Sequence, residues 1–549
     1  MSTWKAITHS KLALAALAFG LAPAVGKSVE EAAARYQVEM LLPKAPLHGA
    51  NGMELDADGQ LIVGSMMSAT IVSINPDDFS VSLLVDAPRG IADDLAIGPD
   101  GTLVWTSTPF GIIHARRPGG EIETLAKNLP MINSINFSAD GRLFAAQVTE
   151  TTGNLYEIDL DGKRAPLVVV ADLPGLNGFE IDAENILYGP LQWDHKVIRV
   201  DLNDASTSVL AEGFTRPVAV NLDSQGFVIA LDYLDGDVFR IDPSSGDKEL
   251  LVSLEPPVDN LAIDADDRIY VSHPCTNGVE RIDPRTGEVE PIAVGSIGMP
   301  GGAQIVVRDG REQLLVAGLF CQHYIDLQNG TLERTRRRGD TIWAGWIDTR
   351  DGTTVLSGFA FGELQWLNSK TGEPRTTRRD FASPYAIELL DDGSVLVAEH
   401  GKNRIIRVAE DLNSEPSTVA DKLDGPVDFI RTEKGMYVSE AGAGLLSFVD
   451  KASGAKTIIA DGLKLPEGIA LMPDQRVLIV EAGAKRLIAI NPFDGSRELI
   501  AADLPIGLPP FMGTAKTFLP SGVRIATDGS IYVVADAAAN VLKISSIAK

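Results

Sequence analysis

Apolar and polar residues alternate with a period of two in short runs along nearly the whole chain, and the runs come in groups of four. In the first group, residues 51–56 lead into the turn Asp58-Gly59, residues 60–64 leave it, and further alternating runs follow at 70–74 and 80–85. Alternation bounded by turn formers predicts half-buried strands. The turn returns as Asp100-Gly101, Asp140-Gly141, Glu184-Asn185, Gln225-Gly226, Asp266-Asp267, Asp309-Gly310, Asp351-Gly352, Asp392-Gly393, Lys434-Gly435, Asp474-Gln475 and Asp528-Gly529. From the second residue of one turn to that of the next, the steps are 42, 40, 44, 41, 41, 43, 42, 41, 42, 40 and 54 residues. A repeat of this length means propeller blades or a solenoid. Stacked helices would show a helical period between the turns, and none is visible; β-solenoid rungs are normally shorter. Each unit therefore predicts one four-stranded antiparallel blade, with strands a (innermost) to d (outermost).

The third runs share a phrase, Val197-Ile198-Arg199-Val200-Asp201, which returns at 238–243 and 279–284. The last unit has runs for strands a to c and ends without a fourth, while residues 36–42 form an orphan run ahead of the first unit. Pairing the orphan with the last blade removes exposed strand edges. The expected fold is all-β: tandem six-bladed β-propellers of twelve four-stranded blades, the last blade closed by the N-terminal strand. In the simplest topology a first propeller, residues 45–297, is inserted into a second made of 36–44 plus 298–549. An alternative division places blade twelve with blades one to five. The long final step reflects an insertion from Ile506 to Thr517, rich in proline and apolar residues, which reads as a lid or interface loop.

With 549 residues, 45% of them hydrophobic and 22% charged, the chain has the composition of a folded soluble protein, and each half can bury a substantial core. Residues 1–28 stand apart. Lys5 and Lys11 precede or open an apolar run from Leu12 to Val25, shorter than the roughly 20 residues of a membrane-spanning helix. Ala22, Ala24 and Gly26 suit a cleavage site, so this segment predicts a signal peptide and a periplasmic or secreted protein without stable membrane insertion. An uncleaved amphipathic anchor is the alternative. The cysteines, Cys275 and Cys321, are too few for a disulfide scaffold. They occupy equivalent b-to-c loops of blades six and seven, and whether they pair is open. A net charge of −27 argues against nucleic acid and against purely electrostatic attraction to anionic membranes.

In a propeller the d-to-a and b-to-c loops open on one face, where the starts of the inner strands line the central channel. In the first half those starts carry Asn51, Asp93-Asp94, Asn133, Asn177 and Asp259-Asn260, and only the fifth blade is apolar, with Val218-Ala219. Carboxylate and amide oxygens converging on an axis suit calcium better than zinc, which prefers His or Cys. The alternative is that Asn and Asp serve only as turn formers ahead of strand a.

The segment 258–264, with Asp259-Asn260, followed by His273-Pro274-Cys275, resembles the paraoxonase segment that supplies an adjacent Asp-Asn pair to the catalytic calcium. Leu176-Asn177-Gly178-Phe179 is similar to the segment that supplies a metal-binding Asn in paraoxonases and in the gluconolactonase/senescence-marker family. Asp93-Asp94-Leu95 resembles the paraoxonase Glu-Asp-Leu segment, with Asp in place of the metal-binding Glu. The resemblance implies a six-bladed, calcium-dependent lactonase or esterase; taken with the axial positions of the first half, Asn51, Asp94, Asn133, Asn177, Asp259 and Asn260 are the expected metal ligands.

Of the histidines beyond the signal segment, His48 falls in a d-to-a loop and His195, His273, His323 and His400 in b-to-c loops, whereas His114 does not map to that face. An imidazole there can take a proton from water, since its pKa lies near neutrality. His48 and His273 flank the expected ligands and are the expected catalytic bases. No Gly-x-Ser-x-Gly elbow supports a serine hydrolase. The second half starts its inner strands differently, with Gly301-Gly302, Trp343, Tyr385, Asp428, Glu467-Gly468 and Ser521-Gly522. Residues 396–405 resemble NHL-repeat and virginiamycin-lyase-like blades, which makes Glu399, His400 and Glu440 an alternative second-propeller site. Arg334, Arg336, Arg337 and Arg338, with Arg375, Arg378 and Arg379, form a basic outer edge that reads as edge protection or as a surface for an acidic protein partner.

These readings converge on an exported, calcium-dependent hydrolase of a lactone or related ester, a small-molecule substrate, with the metal polarising the carbonyl and His48 or His273 activating water. A lyase acting on a cyclic ester and a non-catalytic binding scaffold are the alternatives.

Overall fold

The computed structural model describes residues 35–335, 342–509 and 517–547. Residues 1–34, which include the expected signal peptide, together with Arg336, Arg337, Arg338 and the middle of the 506–517 insertion, lie outside the described residues. The described chain forms twelve four-stranded antiparallel sheets. Eleven use four consecutive strands. The twelfth joins Tyr36–Met40 to Asn540–Ser546, with Tyr36 opposite Ser546 and Met40 opposite Leu542, followed inward by Ile531–Ala535 and Val523–Ile525.

The repeated turns have a local cause. Two residues before the Asp-Gly pair, Asp56 accepts through Oδ1 from the backbone N–H groups of Asp58 (3.0 Å) and Gln60 (2.9 Å). Asp182, Asp223 and Asp264 do the same in blades four to six. A side-chain acceptor thus satisfies donors that a tight hairpin leaves without strand partners. The second turn residue is left-handed, with φ 74° at Gly59 and 62° at Asn185 and Asp267. Glycine, Asn and Asp, which tolerate that region, fill it in most blades, and Gln475 adopts it with φ 70°.

Inner strands neighbour one another round two axes. Ala50–Leu55 of blade one packs against Leu261–Ile263 of blade six, and Asn260 Nδ2 donates to Asn51 Oδ1 at 3.1 Å. In the second half Pro300–Arg308 of blade seven packs against Val523–Ile525 of blade twelve, and Arg524 Nε donates to Gln304 Oε1 at 2.9 Å. Apolar residues fill the gaps between blades; Val104, Ile113, Ile135 and Leu143, for example, are buried between blades two and three.

The halves meet on their loop faces. Met66 and Met67 of blade one pack with Met299, Leu319, Phe359, Tyr385 and Phe518 of the second half. A Cys275–Cys321 disulfide, with Cα atoms 5.7 Å apart, ties blade six to blade seven. The described ends of the insertion lie in the same seam: Tyr385 Oη donates to the Thr517 carbonyl at 2.6 Å, and Gly507 and Leu508 donate backbone N–H groups to Asp536 at 2.8 and 2.7 Å.

Candidate functional site

Irregular strand starts deliver the polar residues to the axis of the first propeller. The a–b register slips between Ala50 and Met53, between Ile132 and Ile135, and between Pro217 and Ala219. Asn51, Asn133 and Val218 therefore fall off the ladder and turn toward the channel mouth. Bulges of this kind re-aim side chains next to functional sites.

There they line a cavity of about 970 Å³ together with Asp93, Asn177, Asp259 and Asn260. Asp93 is its organising carboxylate: Asn51 Nδ2 donates to Oδ1 at 2.8 Å and Asn133 Nδ2 to Oδ2 at 2.7 Å. Asn177 Oδ1 accepts from Ser134 Oγ at 3.2 Å. Asp259 is half-buried and accepts no side-chain hydrogen bond among the described residues. Burial, with the Asp93 charge adding to it, pushes its carboxyl up to about 7. Burial raises Asp93 as well, against the hydrogen bonds from Thr108 and Asn51. Two like charges are thus held together in a partly desolvated ring of amides.

No group of three His, Cys, Asp or Glu side chains forms a metal cluster among the described residues. The donors that converge are instead two carboxylates and four carboxamides, all able to offer oxygen. That set fits a hard cation of the calcium class.

Asp94, the expected ligand beside Asp93, does not join this cluster. Its oxygens accept from the backbone N–H groups of Leu95 (3.0 Å) and, across the seam to blade three, Ile135 (3.1 Å). Asp94 opens the strand Asp94–Ile97 and turns into the seam, whereas Asp93 stands just ahead of it and lines the cavity. Asp348 and Asp428 make the same seam contact in the second half, to Leu389 N at 2.7 Å and Ile469 N at 3.0 Å. Asp94 is a blade-to-blade clamp.

The expected bases are also displaced. Neither His48 nor His273 lines the axial cavity. His48 is buried, neither ring nitrogen has a hydrogen-bond partner among the described residues, and burial lowers its pKa to about 4. His273 lies in a separate cavity of about 260 Å³ beside the disulfide, with Nε2 3.0 Å from Glu280 Oε2. His195 Nδ1 lies 2.7 Å from the Thr215 carbonyl. Loop membership does not bring these rings into the axial cavity, which none of the three lines.

The alternative site in the second half is a set of structural ion pairs. Glu399, fully buried, accepts from Ala382 N (3.0 Å) and Arg404 Nε (2.6 Å) and pairs with Lys402 Nζ (2.9 Å). Glu440 accepts from Asp424 N (2.6 Å) and Lys456 Nζ (2.7 Å) and also bonds Ser447. Glu481 repeats the pattern with Lys464 N and Arg486. Both Glu399 and Glu440 are fully buried and neutralised by these cations. His400 packs edge-on against Tyr385 at 5.2 Å, with Nδ1 3.3 Å from the Pro426 carbonyl.

The second propeller holds its buried carboxylates differently: Glu467 accepts from Ser521 N at 2.8 Å and Asp428 from Ile469 N at 3.0 Å. Gly302 N donates to Gly345 O at 2.7 Å just as Gly52 N donates to Asp93 O at 2.9 Å, so Gly345 stands where the first propeller has Asp93. A cavity of about 1220 Å³ opens at the far ends of its inner strands. Its charges are matched internally, Arg524 with Asp428 at 3.3 Å and Arg308 with Glu333 at 2.8 Å. On the outer edge, Arg375 pairs with Glu410 at 3.2 Å and Arg378 donates to the carbonyls of Ala409 and Asp411, whereas Arg379, paired with Glu363 at 2.8 Å, lines the axial cavity.

No protein-family model and no curated protein matches the chain. Among solved structures it is similar to a gluconolactonase from Xanthomonas campestris, with TM-score 0.37 and 16% identity over 44% of this chain and 89% of that one. It is similar to a chain of the nidogen/laminin complex, with TM-score 0.38 and 16% identity over 42% of this chain and 90% of that one. For virginiamycin B lyase from Staphylococcus aureus the TM-score is 0.25 and the identity 14%, over 60% of this chain and 95% of that one. The likeness is one of fold.

Proposed function

We propose that the chain hydrolyses a lactone or related ester at the axial mouth of the first propeller, with a calcium-class cation held there. The observation that carries this reading is the pairing of Asp93 and Asp259 in one cavity ringed by the carboxamides of Asn51, Asn133, Asn177 and Asn260. Asp93 and those four amides would hold the ion, with Asp259 at its edge. When bound, such an ion polarises an ester carbonyl and stabilises the developing oxyanion.

Asp259 replaces the histidines as the proton acceptor, because it shares the cavity and its carboxylate oxygens are unengaged by side chains. As the water oxygen bonds to the carbonyl carbon, Asp259 takes the water proton. The bond from that carbon to the leaving oxygen then breaks, and the proton passes from Asp259 to the leaving oxygen. The products are a carboxylic acid and a hydroxyl, on one molecule when the substrate is a lactone. The Cys275–Cys321 bridge supports export to an oxidising compartment.

The test is turnover of a lactone and ester panel by full-length protein, by chelated protein and by Asp259→Asn, with product masses recorded. Loss of turnover in both treated samples, with a product heavier by one water, is expected. Undiminished turnover in either sample overturns the proposal, and a product of unchanged mass replaces hydrolysis by elimination.

A further inference from the structure

We infer that the second propeller completes this site, its blades seven and eight supplying an aromatic wall that binds a ring-bearing ligand against the oxygen cluster. Phe320 and Phe361 lie on the b-to-c loops of blades seven and eight, and Trp343 lies just ahead of the inner strand of blade eight. All three line the cavity that contains Asp93 and Asp259. The wall therefore belongs to the same space as the carboxylates, although it comes from the other propeller.

The rings are arranged to receive something. Phe320 and Trp343 meet at 6.0 Å and 72°, and Trp343 and Phe361 at 5.2 Å and 62°. Edge-to-face packing leaves ring faces uncovered by one another, and an added ring can stack on them. Phe361 is 57% exposed, while Trp343 and Phe320 are half-buried. A single exposed aromatic means little, but three in one cavity form a patch that water covers poorly. Met66, Met67 and Met299 line the same cavity, and thioether side chains adapt their shape to flat rings.

Size points the same way. At about 970 Å³, the space matches the upper end of the roughly 300–1,000 Å³ range of small-molecule sites. A bare lactone ring would leave most of it to water. The disulfide and the buried seam of Phe359, Tyr385 and Phe518 fix the wall against the first propeller, so little ordering is left for binding. Resting on the hydrolytic reading, the ligand class is a lactone or ester that carries an aromatic ring system, with its rings on Trp343 and Phe361 and its carbonyl at the oxygen cluster.

Two probes separate the wall from the chemistry. Calorimetry with 1-naphthylacetamide, which has the rings but no ester, reads binding alone; turnover of a naphthyl-substituted butyrolactone against plain butyrolactone reads its use. Trp343→Ala and Phe361→Ala are each expected to weaken naphthylacetamide binding roughly tenfold. They are also expected to raise KM for the naphthyl lactone by a larger factor than KM for butyrolactone. The exposed Phe361 keeps the test valid if Trp343→Ala does not fold. Absence of naphthylacetamide binding in the parent, or equal affinity in parent and Phe361→Ala, overturns the inference. Ring binding without lactone turnover leaves the wall standing and removes the hydrolytic proposal; turnover without ring preference does the reverse.

Discussion

Replacing the adjacent residues Asp93 and Asp94 one at a time separates stability from chemistry. Asp94 is 8% exposed, and its two oxygens satisfy the backbone donors of Leu95 and Ile135, the second of them in the next blade. Asp94→Ala leaves both donors buried without that acceptor. Each such orphan costs about 1–3 kcal/mol. Burial, opposed by those two hydrogen bonds, pushes the Asp94 carboxyl up to about 8, so relief of its desolvation returns part of the loss. A net destabilisation of about 2–4 kcal/mol follows.

Asp93 has side-chain rather than backbone donors. Asn51 and Asn133 bond it from the cavity wall, and both amides can turn to water when it is removed. Asp93→Ala also takes away the like charge that helps raise Asp259. Its stability cost is expected to stay under about 1 kcal/mol, while lactone turnover is lost. Urea unfolding of the parent and both variants, with turnover per folded molecule, measures the contrast. An Asp94→Ala protein as stable as the parent, or an Asp93→Ala protein that retains turnover, refutes the assignment of the two carboxylates.

Glu399→Ala should cost about 2 kcal/mol, because Ala382 N loses a buried acceptor while Arg404 and Lys402 can reach solvent, and turnover per folded molecule should not change. Cys275→Ser with Cys321→Ser opens a loop of 46 residues. Up to about 4 kcal/mol of stability should go with it by loop entropy, read as a lower melting temperature than the parent under non-reducing conditions. His48 gives a pH signature. Burial holds it near 4 while the unfolded value is about 6.5, so across that window the unfolded chain binds a proton that the folded chain does not. Its contribution is present above about pH 6.5 and lost as pH falls through about 4, amounting to about 3 kcal/mol. His48→Gln should flatten that part of the urea-stability profile relative to the parent.

The fold was legible because its devices are local. Asp56, Asp182, Asp223 and Asp264 bond their own turns, and left-handed residues such as Gly59 follow them, so the strands could be counted from punctuation alone. The orphan strand was legible because a blade with three strands has an edge to cover. The convergence of the inner-strand starts was legible too, since Asn51, Asn133, Asn177 and Asp259 hold equivalent places in blades one, three, four and six and all line one cavity. Side-chain direction was not. Alignment of Asn51, Asp93 and Asn133 as one column marks Asp93 rather than Asp94, whose carboxylate serves the seam. Histidine loops gave position without orientation, as His273 against Glu280 shows. The change at Trp343 was visible in sequence, but its meaning depends on how the two propellers face each other, which no local pattern encodes.

Calcium titration of chelator-treated full-length protein, run beside Asp93→Ala, tests the central claim most directly. Saturable binding of about one ion per chain in the parent, abolished in the variant, is the predicted result. A parent that binds no divalent cation, or a variant that binds it as tightly as the parent, contradicts the account.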